Sequence, residues 1–160
     1  MGEMNLPRPK IFISSVQKEL ADERRAIKSF VEADPLLSRF FTVFLFEDLP
    51  AGDRRADAVY LSEVDQCAVY VGIFGDEYGF EDDDGVSPTE REFERATIAR
   101  KPRLIFVKGT DSRNCRPKMR KLIDKAGQQL IRWRFSLVPK LCLRWFAGSQ
   151  APAWEPCLKL

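Results

Sequence analysis

The 160-residue chain contains no histidine. That absence excludes Ser-His-Asp and Cys-His catalysis and histidine-ligated metal centres. Any catalysis has to run on carboxylates, hydroxyls, Lys or Tyr, or on a metal held by oxygens. Cysteine is sparse. Cys67, Cys115, Cys142 and Cys157 form no Cys-x-x-Cys pair, and they read as free thiols rather than a zinc site or disulfide frame. No apolar run approaches the ~20 residues of a membrane span. The segment Met1–Pro7 has neither the charge nor the apolar stretch of a signal peptide, so the expected location is cytoplasmic. There is no G-x-x-x-x-G-K-[ST] phosphate loop. An EF-hand register with Gly85 at its sixth position fails at both ends, on Phe80 and Arg91. The acidic run Glu81–Asp84 reads as a solvated loop rather than a cation site, and no metal or cofactor is expected.

Against these absences stands an ordinary globular composition, 44% apolar and 31% charged, in a chain long enough to bury a core. The charge is unevenly spread. Residues 100–144 hold 14 Lys/Arg against only Asp111 and Asp124, a net +12, and the remainder holds 12 basic and 22 acidic residues, a net −10. The two parts are expected to attract each other within the chain or to pair two copies of it. Nucleic-acid binding is the less favoured reading, because no nucleic-acid motif accompanies the basic stretch.

Apolar runs alternate with helical patterns. Lys10–Ile13, Phe41–Phe46, Ala68–Phe74, Arg103–Val107 and Gln129–Phe135 read as strands. Between them lie helices expected at Val16–Glu32, Ala56–Gln66, Ser87–Lys101 and Pro117–Ala126. In the first, Val16, Leu20, Ile27 and Val31 form the apolar stripe, with Glu19, Asp22, Glu23, Arg24 and Lys28 on the wet side. Continuous apolar strands joined by helices predict an α/β fold: a flavodoxin-like three-layer sandwich with a five-stranded parallel sheet of order 2-1-3-4-5. Residues 1–146 are expected to form one domain, with a last helix near Leu137–Phe146 and an irregular tail over 147–160.

Such sheets bind ligands beyond the carboxyl ends of their strands, at the switch point. Those positions are Ser14, Ser15, Glu47, Gly75, Tyr78, Gly79, Lys108 and Glu92. Gly75 and Gly79 would allow a ligand close to the backbone. Tyr78 either stacks on a base or packs the loop, and Ser14-Ser15 either bind ligand or cap the first helix. Ser87, Pro88 and Glu90 form a capping box in which Glu90 is expected to accept the Ser87 N–H. Glu92 has no such duty. It shares a face with Ala96 and Ala99 and is expected on the sheet-facing edge of its helix, pointing toward the strand ends.

Three blocks resemble the domain-of-unknown-function family DUF4062. They are Ile11–Ser15 with Glu19–Arg24, Tyr70–Gly75 with Tyr78-Gly79, and Ser87–Phe93 with Ala96. Together they lie within residues 9–108, about two thirds of the chain. That family is similar to Toll/interleukin-1 receptor (TIR) domains and to nucleoside deoxyribosyltransferases, and often forms the N-terminal module of larger bacterial conflict-system proteins. The resemblance implies a TIR-like module for a nucleotide or nucleoside small molecule. It implies cleavage or transfer at an N-glycosidic bond of NAD or a nucleoside, with NAD as substrate rather than cofactor. The deoxyribosyltransferase helix carries Glu-x-Gly-x-Ala before a Lys-Pro. Counting back from Lys101-Pro102 matches its glutamate to Glu92 and its alanine to Ala96, and its glycine falls on Glu94, a departure. A second departure is Ala68, where the family tends to have Asp after Cys67. The alternative implied function is a non-catalytic signalling module that self-associates. For the tail, limited proteolysis is expected to cut from Gly148 onward and leave the rest intact; a tail resistant there contradicts an irregular end.

Overall fold

Each apolar run becomes a strand because, buried on both faces, it has no polar side to show. The computed structural model describes residues 7–52 and 56–138. It joins β1 (Lys10–Ser14), β2 (Thr42–Phe44), β3 (Val69–Phe74), β4 (Arg103–Lys108) and β5 (Arg132–Phe135) into one parallel sheet of order β2-β1-β3-β4-β5. Ser14 lies opposite Gly72 in the β1–β3 register. The chain leaves β1 toward β2, then crosses back to β3, so the winding reverses between β1 and β3. This is the flavodoxin-like arrangement expected.

Alternation along the strands makes two cores. Phe12, Tyr70, Phe74, Ile105 and Val107 face α3 (Ala56–Gln66), α4 (Pro88–Ile98) and α5 (Pro117–Gln129). Ile11, Ile13, Val71, Ile73, Phe106 and Phe135 face the other way, toward α1 (Ala21–Ala33) and the one-turn α2 (Leu37–Phe40). Several boundaries move. Helix α1 begins at Ala21 rather than Val16, and residues 17–20 form turns closed by the Leu20 N–H on the Val16 carbonyl at 3.0 Å. Strand β2 is only three residues long and runs into a 3₁₀ turn, Phe46–Asp48. Helix α4 stops at Ile98, leaving Ala99 exposed at its end, and Arg100 turns into the left-handed region at φ 53°. No helix among the described residues is long and apolar enough to cross a membrane. Cys67 and Cys115 are buried free thiols. The helix expected near Leu137–Phe146, the tail, Cys142 and Cys157 lie wholly or mostly outside the described residues.

One assignment in α1 reverses. Glu23 and Arg24 do not face water; both are buried, Arg24 to 2% exposure. They fill the gap in the apolar stripe between Leu20 and Ile27, and a charge there has to be paired. Lys108 reaches Glu23 at 2.5 Å. Arg24 donates to both oxygens of Glu47 at 2.7 and 2.6 Å, to the Ile13 carbonyl at 3.2 Å and to the Ser15 hydroxyl at 3.0 Å. Burial alone would raise the Glu47 carboxyl, but the Arg24 guanidinium overcomes it and holds the group below its ordinary value. Removing Glu47 strands a buried cation. Glu47→Ala is expected to cost about 2 kcal/mol, discounted for the partial exposure of the carboxylate. An unchanged urea midpoint would contradict this.

Candidate functional site

The site starts from the local chemistry that fixes the first turn of α4. Ser87 caps it, its hydroxyl accepting the Glu90 N–H at 3.3 Å, and Pro88 presets the first helical residue. The other half of the expected capping box is replaced. Glu90 does not accept the Ser87 N–H; the Tyr78 hydroxyl does, at 3.3 Å, and donates in turn to Glu90 at 2.5 Å. The phenol is a longer reach than a direct Glu90 contact, and it ties the β3–α4 loop to the helix start. Tyr78 is therefore buried, with Lys118 over its ring, and takes the loop-packing role rather than standing free to stack on a ligand.

One turn further on, Glu92 faces the end of β1. The Ser14 hydroxyl donates to the Glu92 carboxylate, and both residues are buried, Glu92 to 8% exposure. Burial pushes the Glu92 carboxyl up to about 7, against the opposing pull of the Ser14 hydrogen bond and the Arg24 charge. The phenol of Tyr70 is held well above its ordinary value, first by burial and then by the nearby Glu92 charge. This is a carboxyl poised to exchange its proton near neutrality.

Glu92 also lines a cavity of about 800 Å³ beside the switch point. Its walls include Ser15, Glu19, Phe46, Tyr60, Gly79 and Phe80. Phe46 and Tyr60 meet edge to face at 6.3 Å. Phe80 stands at 82% exposure, a broad apolar surface at the rim. Among the described residues, no group of three or more Cys, Asp or Glu side chains is placed to hold a metal ion.

The structure thus brings together Ser14, Ser15, Gly79 and Glu92. It sends the others elsewhere. Glu47 is engaged by Arg24, as above. Lys108 belongs to a second, polar crevice on the far side of Glu19, lined also by Gly75, Asp76, Thr110 and Arg113. Gly75 makes room for a side chain of the chain itself rather than for a ligand. A Cβ at Gly75 would lie 2.4–2.6 Å from the carboxylate atoms of Glu19. Nor do Ser14 and Ser15 cap α1, whose N-cap is Leu20 with no side-chain bond.

Sequence reasoning missed Arg24, Glu19, Tyr60, Phe46 and Phe80. Only Arg24 left a signal, as a charge sitting at an apolar-stripe position. Ala68, the departure from the family pattern, precedes β3 at its amino end, with its N–H on the Lys10 carbonyl at 2.8 Å. It is at the opposite end of the strand from the cavity.

The chain belongs to DUF4062, a domain of unknown function whose family profile matches residues 10–147. No curated protein matches it. Among solved structures it is similar to the CMP N-glycosidase BcmB of Clostridium botulinum, at TM-score 0.55 and 9% identity over 87% of this chain and 98% of that one. At that identity the likeness shows a common fold.

The raised Glu92 carboxyl carries a stability consequence. Between its ordinary value of 4.5 and its folded value of about 7, the folded protein keeps a proton that the unfolded chain has released. The contribution of this group is full below pH 4.5 and is lost as pH rises through 7. Glu92→Gln, which carries no charge, is therefore expected to gain stability over the parent with rising pH, by up to about 3 kcal/mol above neutrality. Urea midpoints from pH 4 to 9 check this, and parallel profiles for the two proteins would contradict it.

Proposed function

We propose that this cavity binds a nucleoside or nucleotide derivative and that the protein acts on its N-glycosidic bond, with Glu92 as the key carboxylate. The supporting observation is the buried Glu92 carboxylate, bonded to Ser14 and opening on a cavity whose size suits a small molecule of this class. The BcmB neighbour, a CMP N-glycosidase, favours the same bond. The absence of histidine is no obstacle, because glycosidic cleavage runs on carboxylates.

In this reading the apolar and aromatic walls of Phe46, Tyr60 and Phe80 hold the base. The ionised Glu92 faces the anomeric carbon. As the bond from that carbon to the base nitrogen breaks, the base leaves with the electron pair. Glu92 then either bonds to the carbon or stabilises its developing positive charge until water or an acceptor hydroxyl adds. Ser14 orients the carboxylate through its hydrogen bond and leaves the second oxygen for the sugar. Arg24 lies behind, and its charge favours the ionised form. Because that form does the work, the rate is expected to rise with pH through about 7.

The test is a panel of NAD, nucleosides and nucleoside monophosphates, with released base read by mass spectrometry. At least one member is expected to yield free base, and Glu92→Gln to lower that rate by about a thousandfold or more. Undiminished turnover in Glu92→Gln would remove Glu92 from the mechanism. Saturable binding at the cavity with no turnover in either protein would leave a non-catalytic nucleotide-binding module.

A further inference from the structure

Glu19 already fills a place shaped for an anion. Its two carboxylate oxygens accept successive backbone amides of the loop after β3, Asp76 at 2.7 Å and Glu77 at 3.2 Å. Consecutive amides pointing at one spot form an anion-binding concavity, the geometry that cradles phosphate in many nucleotide sites. Gly75 has to be glycine for the carboxylate to come this close. Glu19 also forms the wall between two spaces. On one side is the Glu92 cavity; on the other is the polar crevice of about 640 Å³, which contains Lys108 and Arg113. Among the described lining residues of the Glu92 cavity, Lys18 is one cation against the three acidic residues Glu19, Glu77 and Glu92. Such a lining disfavours an added dianion.

We infer that Glu19 is a specificity-determining residue. Its carboxylate stands where a phosphate would bind, so the site takes nucleosides with a free sugar hydroxyl and rejects their phosphorylated counterparts. This rests on the proposed glycosidic function and names its substrate class. It also separates this chain from its BcmB neighbour, a glycosidase of the phosphorylated nucleotide CMP.

Inorganic phosphate is the probe, titrated into the wild type, Glu19→Ala and Glu19→Gln and followed by calorimetry. Far-UV circular dichroism and melting temperature establish that each variant is folded. Glu19→Ala is expected to bind phosphate at least about tenfold more tightly than the wild type, once the amides are free and the like charge is gone. Glu19→Gln keeps the shape and loses the charge; it carries the test should the alanine variant not fold, and is expected to gain in the same direction. Unchanged phosphate affinity in a folded variant would overturn the inference. The wild type alone supplies a second arm: a nucleoside is expected to be preferred over its 5′-monophosphate by at least about tenfold. Cleavage of the monophosphate in preference would overturn the role of Glu19 and leave the glycosidic reading standing. A phosphate gain on removing Glu19, with no nucleoside bound or cleaved by any form, would keep Glu19 as the occupant of an anion-binding place but overturn the glycosidic reading and, with it, the nucleoside preference.

Discussion

A single buried hydrogen bond, from the Ser14 hydroxyl to the Glu92 carboxylate, joins the end of β1 to the second turn of α4. Everything distinctive about this chain depends on keeping that carboxylate out of water yet open to a cavity. A carboxylate without enough partners takes up a proton, and Glu92 sits near the balance point, with its carboxyl at about 7. Ser14 alone does not set this balance. Arg24 lies nearby, fixed by both oxygens of Glu47, by the Ile13 carbonyl and by Ser15. Its charge is shared with Glu47, so it tempers the rise of the Glu92 carboxyl without cancelling it.

The loop between β3 and α4 is wired from several sides. Glu19 holds its first amides, and the Arg116 N–H donates to the Asp76 carbonyl at 2.8 Å. Lys118 bridges Glu81 and the Gly85 carbonyl, Arg91 pairs with Asp82 and Asp84, and Lys125 pairs with Glu90 and Glu94. The basic stretch from residue 100 onward is thus partly consumed within the chain, which is the intrachain attraction that its charge distribution suggested. Each exposed pair contributes little alone. Their joint effect is geometric: they hold the acidic loop against α5 and so fix one side of the cavity.

The sheet was legible because parallel strands buried on both faces are written as continuous apolar runs, and the start of α4 because Ser-Pro-x-Glu is a strong local signal. Glu92 was singled out by the same local logic, since its neighbour Ala96 needs a close surface to pack on. The failures share a cause. Glu23 and Arg24 were given to water because their partners, Lys108 and Glu47, lie far along the chain and only the fold brings them near. Tyr60, Phe46 and Phe80 come from three separate segments that share no spacing rule. Gly75 was expected to let a ligand approach the backbone, and the group that approaches it is the Glu19 carboxylate.

The chemistry proposed for this cavity turns on the protonation of one carboxyl group. Carbon-13 NMR of the Glu92 side-chain carboxyl, assigned by its loss in Glu92→Gln, reads that directly across a pH titration. The structure predicts a midpoint near 7. A midpoint at the ordinary glutamate value of 4.5 would mean that water reaches this carboxylate freely, and the buried, poised group described here would not exist.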